Sequence, residues 1–226
     1  LDGNGEYRIA LEYRSLPIDR FGSEVRIGAV FGDRFGLSAE WFKLFDTSQH
    51  VFVAPQANFV MRNVPRFRAD GFRTGSYRVN LAEFQLDAGW QFDSPAEIRI
   101  GYQRGTGEAR LQEGFATPQT IDIEIGQVNL SAGLDTLDSA FFPTEGVHLS
   151  SRWSVARESL GASADFQTLE AHAMRAWSHG SNTLIAQLDA ASSLSGTVPI
   201  ESLFRIGGLF NLSGYKEDEL AGEAYA

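Results

Sequence analysis

The sequence predicts an all-β protein, an antiparallel transmembrane β-barrel. Three observations predict it. Apolar and polar residues alternate over runs of about 9–13 residues, longer than the strands usual in soluble sheets. All four tryptophans fall on the apolar side of those runs. Connections differ in length, with short turns on one side and long loops on the other, as in outer-membrane barrels.

The alternation begins near the start. Tyr7, Ile9, Leu11 and Tyr13 share one face, with Glu6, Arg8, Glu12 and Arg14 on the other. After a turn through Pro17 and Asp19, Val25, Ile27, Ala29 and Phe31 repeat the pattern. A tight turn at Gly32-Asp33 leads to Phe35, Leu37, Ala39 and Trp41. The next strand, about residues 50–62, contains Pro55 and is expected to be irregular or bulged. Residues 64–75, with Arg66, Arg68, Asp70 and Arg73, read as a short strand and a loop. The cleanest strand runs Ala82, Phe84, Leu86, Ala88, Trp90, Phe92, ending in two aromatics as at a lipid interface.

Past the turn Asp93-Ser94-Pro95 come Ile98, Ile100 and Tyr102, and then a glycine-rich loop with Gly105, Gly107 and Gly114. Ile121, Ile123 and Ile125 lie opposite Asp122 and Glu124, after which the apolar phase flips to Val128, Leu130, Ala132 and Leu134. That flip predicts a bulge near Gly126. Three further strands carry Val147–Val155, Leu169–Trp177 and Leu184–Ala190, the last two joined by a short turn at His179. The sum is about eleven strands, with a twelfth starting at Leu220.

Composition narrows the class. Hydrophobic content of 43% with 12% aromatic residues excludes disorder. No apolar run reaches the roughly 18–20 residues of a membrane helix. A net charge of −10 argues against a nucleic-acid partner. With no cysteine, disulfides and thiolate metal sites are excluded. Alternation alone suits a soluble all-β binding protein equally well. The strand lengths, the tryptophan placement and the charged pairs Glu12 with Arg14 and Asp122 with Glu124, suited to a water-filled lumen, favour the membrane barrel.

Catalytic chemistry is not indicated. His50, His148, His172 and His179 lack metal-ligand spacing and read as lumenal or turn residues. Gly105-Thr106-Gly107 is not followed by the Gly-Lys of a phosphate loop and reads as an extracellular loop. Asp122 and Glu124 on one strand face are better taken as solvated carboxylates than as an acid–base pair. No catalytic residue, metal or cofactor is assigned.

Two motifs carry a resemblance. Asp135-Thr136-Leu137-Asp138 followed by Phe142-Pro143-Thr144-Glu145-Gly146 resembles the periplasmic D-x-x-D…F-P-T-x-G turn of the bacterial surface-antigen superfamily. Its members include BamA-type outer-membrane insertases and two-partner secretion transporters. Further on, Gly207-Gly208 and Leu212-Ser213-Gly214-Tyr215 resemble the family's G-G…V-R-G-Y/F loop, which folds into the barrel lumen. The resemblance implies a sixteen-stranded outer-membrane barrel. Residues 1–226 would be an incomplete part of it, with upstream domains missing and open sheet edges that would keep this segment alone from inserting. Ser213 stands where the family usually has Arg. The wording Gly-Gly-Leu-Phe-Asn-Leu-Ser-Gly-Tyr is closer to barrels attached to patatin-like phospholipases. The resemblance therefore implies a barrel that anchors or exports an N-terminal lipid hydrolase. The alternative it carries is an insertase or secretion barrel for polypeptide clients. Outer-membrane lipid, a polypeptide client or the protein's own N-terminal domain are the implied partners, and a homodimer is compatible with it. Neither a Gly-x-Ser-x-Gly elbow nor an oxyanion glycine cluster is present, so this segment is not expected to be the enzyme. Leu212 to Tyr215 are expected to pack against the inner wall.

Overall fold

The computed structural model describes residues 7–15, 17–67, 73–93, 95–114, 120–139, 142–199, 202–208, 212, 214–215 and 220–226. Ten strands follow one another as an antiparallel meander: β1 Arg8–Arg14, β2 Glu24–Gly32, β3 Arg34–Leu44, β4 Val51–Phe67, β5 Arg73–Gln91, β6 Ala96–Gly114, β7 Thr120–Asp135, β8 Gly146–Ala156, β9 Phe166–His179 and β10 Asn182–Ser195. A short hairpin, β11 Phe204–Ile206 with β12 Leu220–Gly222, forms a separate two-stranded sheet. The chain then returns as β13 Ala224–Tyr225, which pairs with β10 through Ala191↔Tyr225 and Ser192↔Ala224. The main sheet thus has 11 strands, with β1 at one edge and β13 at the other.

One face carries the apolar rows. Val25, Ile27 and Ala29 of β2 lie opposite Trp41, Ala39 and Leu37 of β3. The rows continue through Phe59, Ala57 and Val53 on β4 to Ala82, Phe84 and Ala88 on β5. Leu86 and Trp90 then face Tyr102 and Ile98 on β6. Leu130 with Trp153, and Leu149 with Ala173, carry the band to β8 and β9. Most of the large side chains in these rows, from Ile27 and Trp41 to Leu130 and Trp153, are exposed, as lipid-facing residues of a barrel are. Trp41, Trp90 and Trp177 sit towards the end that bears the β5–β6, β7–β8 and β9–β10 connections, called here the turn end, and Trp153 towards the opposite, far end.

The opposite face is polar at mid-height. Gln85, Asp87, Asn129, Ser154 and Thr168 are buried on it. Gln85 donates to Asp87 at 2.8 Å, and Gln103 donates to Glu83 at 3.0 Å while its carbonyl oxygen accepts from Gln127 and Asn129. These amide and carboxylate bridges link inward polar groups of three neighbouring strands, β5 to β7.

Several expectations are corrected. No bulge is found at Gly126: β6 and β7 pair without a register shift from Ala96↔Leu134 to Arg110↔Thr120. The apolar phase flips because the strands leave the membrane. Below the boundary Val128, Tyr102 and Ala82 face outward; above it Glu124, Arg104 and Asn80 take that face. Apolar residues there turn inward instead, where Tyr77, Ala109 and Ile123 are buried with Val79, Leu81, Leu111, Ile121 and Ile125 packed on them. Asp122 and Glu124 therefore face outward, not into the lumen, and Glu124 pairs with Arg104 at 2.7 Å.

Gly105-Thr106-Gly107 is part of β6, not a loop. Any side chain at Gly107 would run into the backbone of Asn80 and Leu81, which explains the glycine without a turn. Residues 64–67 and 73–75 extend β4 and β5 rather than forming a strand of their own. Pro55 causes no bulge. The β3–β4 ladder passes from Glu40↔Gln56 to Lys43↔Val53 in one register and skips the pairs beside the proline, whose nitrogen has no hydrogen to give. The turn at Gly32-Asp33 is short, yet it lies at the far end, opposite the turns at Asp93 and His179. Turn length does not sort the two ends, whereas the overhang of β4 to β7 does.

Candidate functional site

The inner wall at the turn end encloses a cavity of about 1110 Å3. Its lining is charged and mixed in sign: Asp87, Glu97, Arg99, Arg152, Glu170 and Asp189 all reach it. Glu97 and Arg99 pair at 2.6 Å. Arg99 also lies over the rings of Phe42 and Phe52, at 5.9 and 4.9 Å from their centroids. His148 and His172 share this wall, each with a carboxylate beside it, so both are lumenal. His179 ends β9 at the short turn, and His50 lies by the β3–β4 turn within 2.9 Å of Asp93.

The connection from β1 to β2 folds in under the wall. Phe21 packs on Phe42, Leu44, Phe52 and Ala54. Lys43 pairs with Asp19, whose carboxylate also accepts from the amides of Phe21 and Ser23. The bond from Lys43, backed by those from Ser23 and Phe21, holds the Asp19 carboxyl far below the ordinary carboxylate range.

The Asp135…Gly146 turn is built around Asp138. Its carboxylate accepts from the Thr144 amide at 2.8 Å and the Glu145 amide at 3.2 Å, and from the Thr144 hydroxyl. Asp135 accepts from the Leu137 amide at 3.0 Å, an Asx turn, and its own amide donates to Pro95. Gly146 has φ 109°, and a side chain there would strike Thr136, so only glycine suits the position. Pro143 is buried, whereas Phe142 is 84% exposed. Ala140 and Phe141 lie outside the described residues.

At the other motif, Gly207 and Gly208 have φ 144° and 97° and follow β11 directly. The Gly208 amide donates to Tyr215 at 3.1 Å, the Leu212 amide donates to Gly208 at 2.9 Å, and the Tyr215 amide donates to Leu212 at 3.0 Å. These bonds draw Gly208, Leu212 and Tyr215 together beyond β11. Leu212 is 38% and Tyr215 43% exposed, and nothing lies within 4 Å of the side-chain position at Gly214. More than half of the Leu212 and Tyr215 surfaces is therefore covered, while the position at Gly214 is open. Ser213 lies outside the described residues. The two motifs are not brought together: one sits at the turn end between β7 and β8, the other beyond β10.

A polar cavity behind a lipid-facing apolar band, with these two turns, is a membrane barrel wall. The Omp85 superfamily domain matches residues 12–225. The chain belongs to the Omp85 superfamily. Its place is the bacterial outer membrane. No curated protein matches the sequence. Among solved structures, BamA from Haemophilus ducreyi lacking POTRA domains 1–3 is similar in fold, with a TM-score of 0.73 at 13% identity. That likeness covers 93% of this chain and 43% of that one, so this Omp85 chain spans less than half the length of the BamA chain.

Among the described residues no group of three or more His, Cys, Asp and Glu is placed to hold a metal ion. Sequence reasoning singled out the two motifs. It missed the charged cavity wall, because Asp87, Arg99, Arg152 and Asp189 are scattered over four strands and meet only through the register.

Proposed function

We propose that this Omp85 chain forms the lumen wall of an outer-membrane barrel that handles polypeptide, inserting it into the membrane or passing it across. The observation that carries this reading is the continuous mixed-charge inner face, from Asp87 and Arg99 to Arg152, Glu170 and Asp189, around a cavity of about 1110 Å3. Unfolded polypeptide presents backbone amides and charges of both signs, and a wall carrying carboxylates, guanidinium groups and amides can exchange hydrogen bonds with it along the whole passage. The turn end, with Asp138 and Phe142, is then the periplasmic side, and the overhang of β4 to β7 is extracellular.

The experiment is reconstitution of the full-length protein in planar bilayers and in vesicles. Ion conductance, together with faster folding of an added outer-membrane barrel client or protected uptake of a secreted one, supports the reading. A protein that inserts fully but neither conducts nor acts on any polypeptide overturns it.

A second reading rests on the residues Gly207 to Tyr215, whose wording resembles barrels attached to patatin-like phospholipases. Here the wall would anchor or export its own lipid hydrolase. The complete reading frame separates the two. A Gly-x-Ser-x-Gly elbow upstream favours the hydrolase, and repeated polypeptide-transport domains alone favour the client-handling barrel.

A further inference from the structure

On the lipid face of β8 to β10 a groove lies next to an arginine. Ser151, Ala171 and Ala190 stand side by side in register, and all three are small. The next outward row towards the far end is large, with Trp153 beside Leu169. The row on the turn side is large at Leu149 and Leu188, but Ala173 stands between them. The result is a groove of about 420 Å3 within the apolar band, its turn-side wall interrupted at Ala173. One outward step further along β9 the notch meets Arg175, exposed between Val147 and Ala186.

A guanidinium on the lipid side of a barrel is unfavourable unless it reaches a headgroup or meets an opposite charge. The outward rows of β8 to β10 hold no carboxylate, since Glu170 and Asp189 line the cavity inside. Among the described residues no ion pair engages Arg175, whose guanidinium carbon lies 6.0 Å from the centroid of the Trp177 ring. Trp177 sits at the interface, and two residues of strand, about 6–7 Å, put Arg175 on its membrane side. From there the side chain reaches the level of the lipid phosphates while its stem stays against the wall.

We propose that the groove and Arg175 form a binding site for one anionic phospholipid of the leaflet at the turn end. The phosphodiester accepts hydrogen bonds from the guanidinium. One acyl chain passes over Ala173, between Leu149 and Leu188, into the recess over Ser151 and Ala171, where Trp153 and Leu169 close its path. The alignment of notch and charge on one strand separates this site from the general contact of lipid with the apolar band. A two-fold contact between copies of the chain would set the patch against itself, with guanidinium groups and no carboxylate to meet them. The inference concerns the outer face alone and holds whatever the lumen handles.

The test is native mass spectrometry of the full-length protein, folded in detergent and given equal amounts of phosphatidylglycerol and phosphatidylcholine of different mass. One phosphatidylglycerol per chain is expected to survive the collision energy that strips the other lipids, and inorganic phosphate should not displace it. Arg175→Gln is expected to lower retention about tenfold or more, through loss of a charge-assisted hydrogen bond. Ala171→Leu fills the recess and should lower it as well, whereas Ala88→Leu, on the lipid face of the distant β5, leaves it unchanged. Heat-modifiable migration on a gel verifies that each variant is folded. The inference is overturned if the two lipids are retained equally, if either variant at the site keeps the wild-type retention, if inorganic phosphate displaces the lipid, or if the patch proves to hold a second copy of the chain.

Discussion

The ring of Phe52 occupies the space that a side chain at Gly89 would need. Phe52 on β4 is wholly buried, and the absence of a side chain on the neighbouring strand makes room for it. Phe42 packs on it with ring centroids 4.6 Å apart. Gly89→Ala is expected to destabilise the folded barrel by about 1–3 kcal/mol through overpacking, and Phe52→Ala by about 3–5 kcal/mol through the cavity left behind. The double variant should lose less than the sum, because removing the ring relieves part of the clash. Urea unfolding of the full-length protein in lipid checks the cycle. Strict additivity would contradict the packing described.

The height of the membrane on the strands gives the second prediction. Leu86 faces outward within the apolar band, whereas Asn80 lies on the same face of β5 three alternations nearer the far end, above the boundary. Leu86→Arg is expected to cost about 2–4 kcal/mol, and Asn80→Arg only about 0–1 kcal/mol. The inversion is also open to labelling. A cysteine at Glu124 should react with a membrane-impermeant maleimide from outside, while one at Ile123, buried on the inner face, should not. Equal reactivity of the two would speak for a bulge near Gly126 after all.

Those positions also mark where the sequence was legible. Within the band the rows Phe84–Trp90 and Val128–Leu134 disclose strand and lipid face together, since only one face is apolar. Above the band Ile121, Ile123 and Ile125 alternate just as well, but with the faces exchanged. A change of solvent on the outer face and a one-residue slip produce the same pattern in one strand. Only pairing with β6, where Arg104 and Tyr102 straddle the same line, tells them apart. Gly105 and Gly107 misled for a related reason. The glycine that marks a turn also marks a close approach of strands, and the approaching backbone of Asn80 is 27 residues away from Gly107 in the sequence. The Asp138 turn was legible because its donors and acceptor lie within seven residues.

Gly126 gives the third prediction. It faces outward on β7 at the membrane boundary, and the loop between β8 and β9 lies directly on it, with Leu160, Gly161 and Ala162 where a side chain would project. Tyr102 donates its hydroxyl to Leu160 at 2.9 Å, Arg104 donates to Gly161, and the Ser163 amide donates to Glu124 at 3.0 Å. The loop thus covers the upper edge of β7, which extends beyond β8 and would otherwise present unpaired backbone groups. Gly126→Val should lift the loop away. Protease cleavage within 157–165 is expected to become at least several-fold faster, with the barrel itself intact on a heat-modifiability gel. Unchanged cleavage would mean that the loop is held elsewhere.

Asp138 gives the fourth, and its sign follows from which form the turn binds. Hydrogen bonds from the Thr144 side chain and amide, and then from the Glu145 amide, favour the ionised carboxylate and hold its pKa below the usual aspartate range. A group depressed on folding stabilises the folded turn fully above its unfolded pKa, and that contribution is lost as the pH falls through the folded value. The turn between β7 and β8 should therefore be insensitive to pH near neutrality and loosen only in strong acid. Amide hydrogen exchange at Thr144 and Glu145 measures this directly, after correction for the intrinsic rate at each pH. Asp138→Asn keeps an oxygen acceptor for the amides but replaces the second one with an NH2 group that cannot accept from the Thr144 hydroxyl. Its protection should be lower than wild type near neutrality and should lack the acid transition. A variant that retained the transition would assign it to another carboxylate, of which Asp135, three residues away on the same turn, is the nearest in sequence.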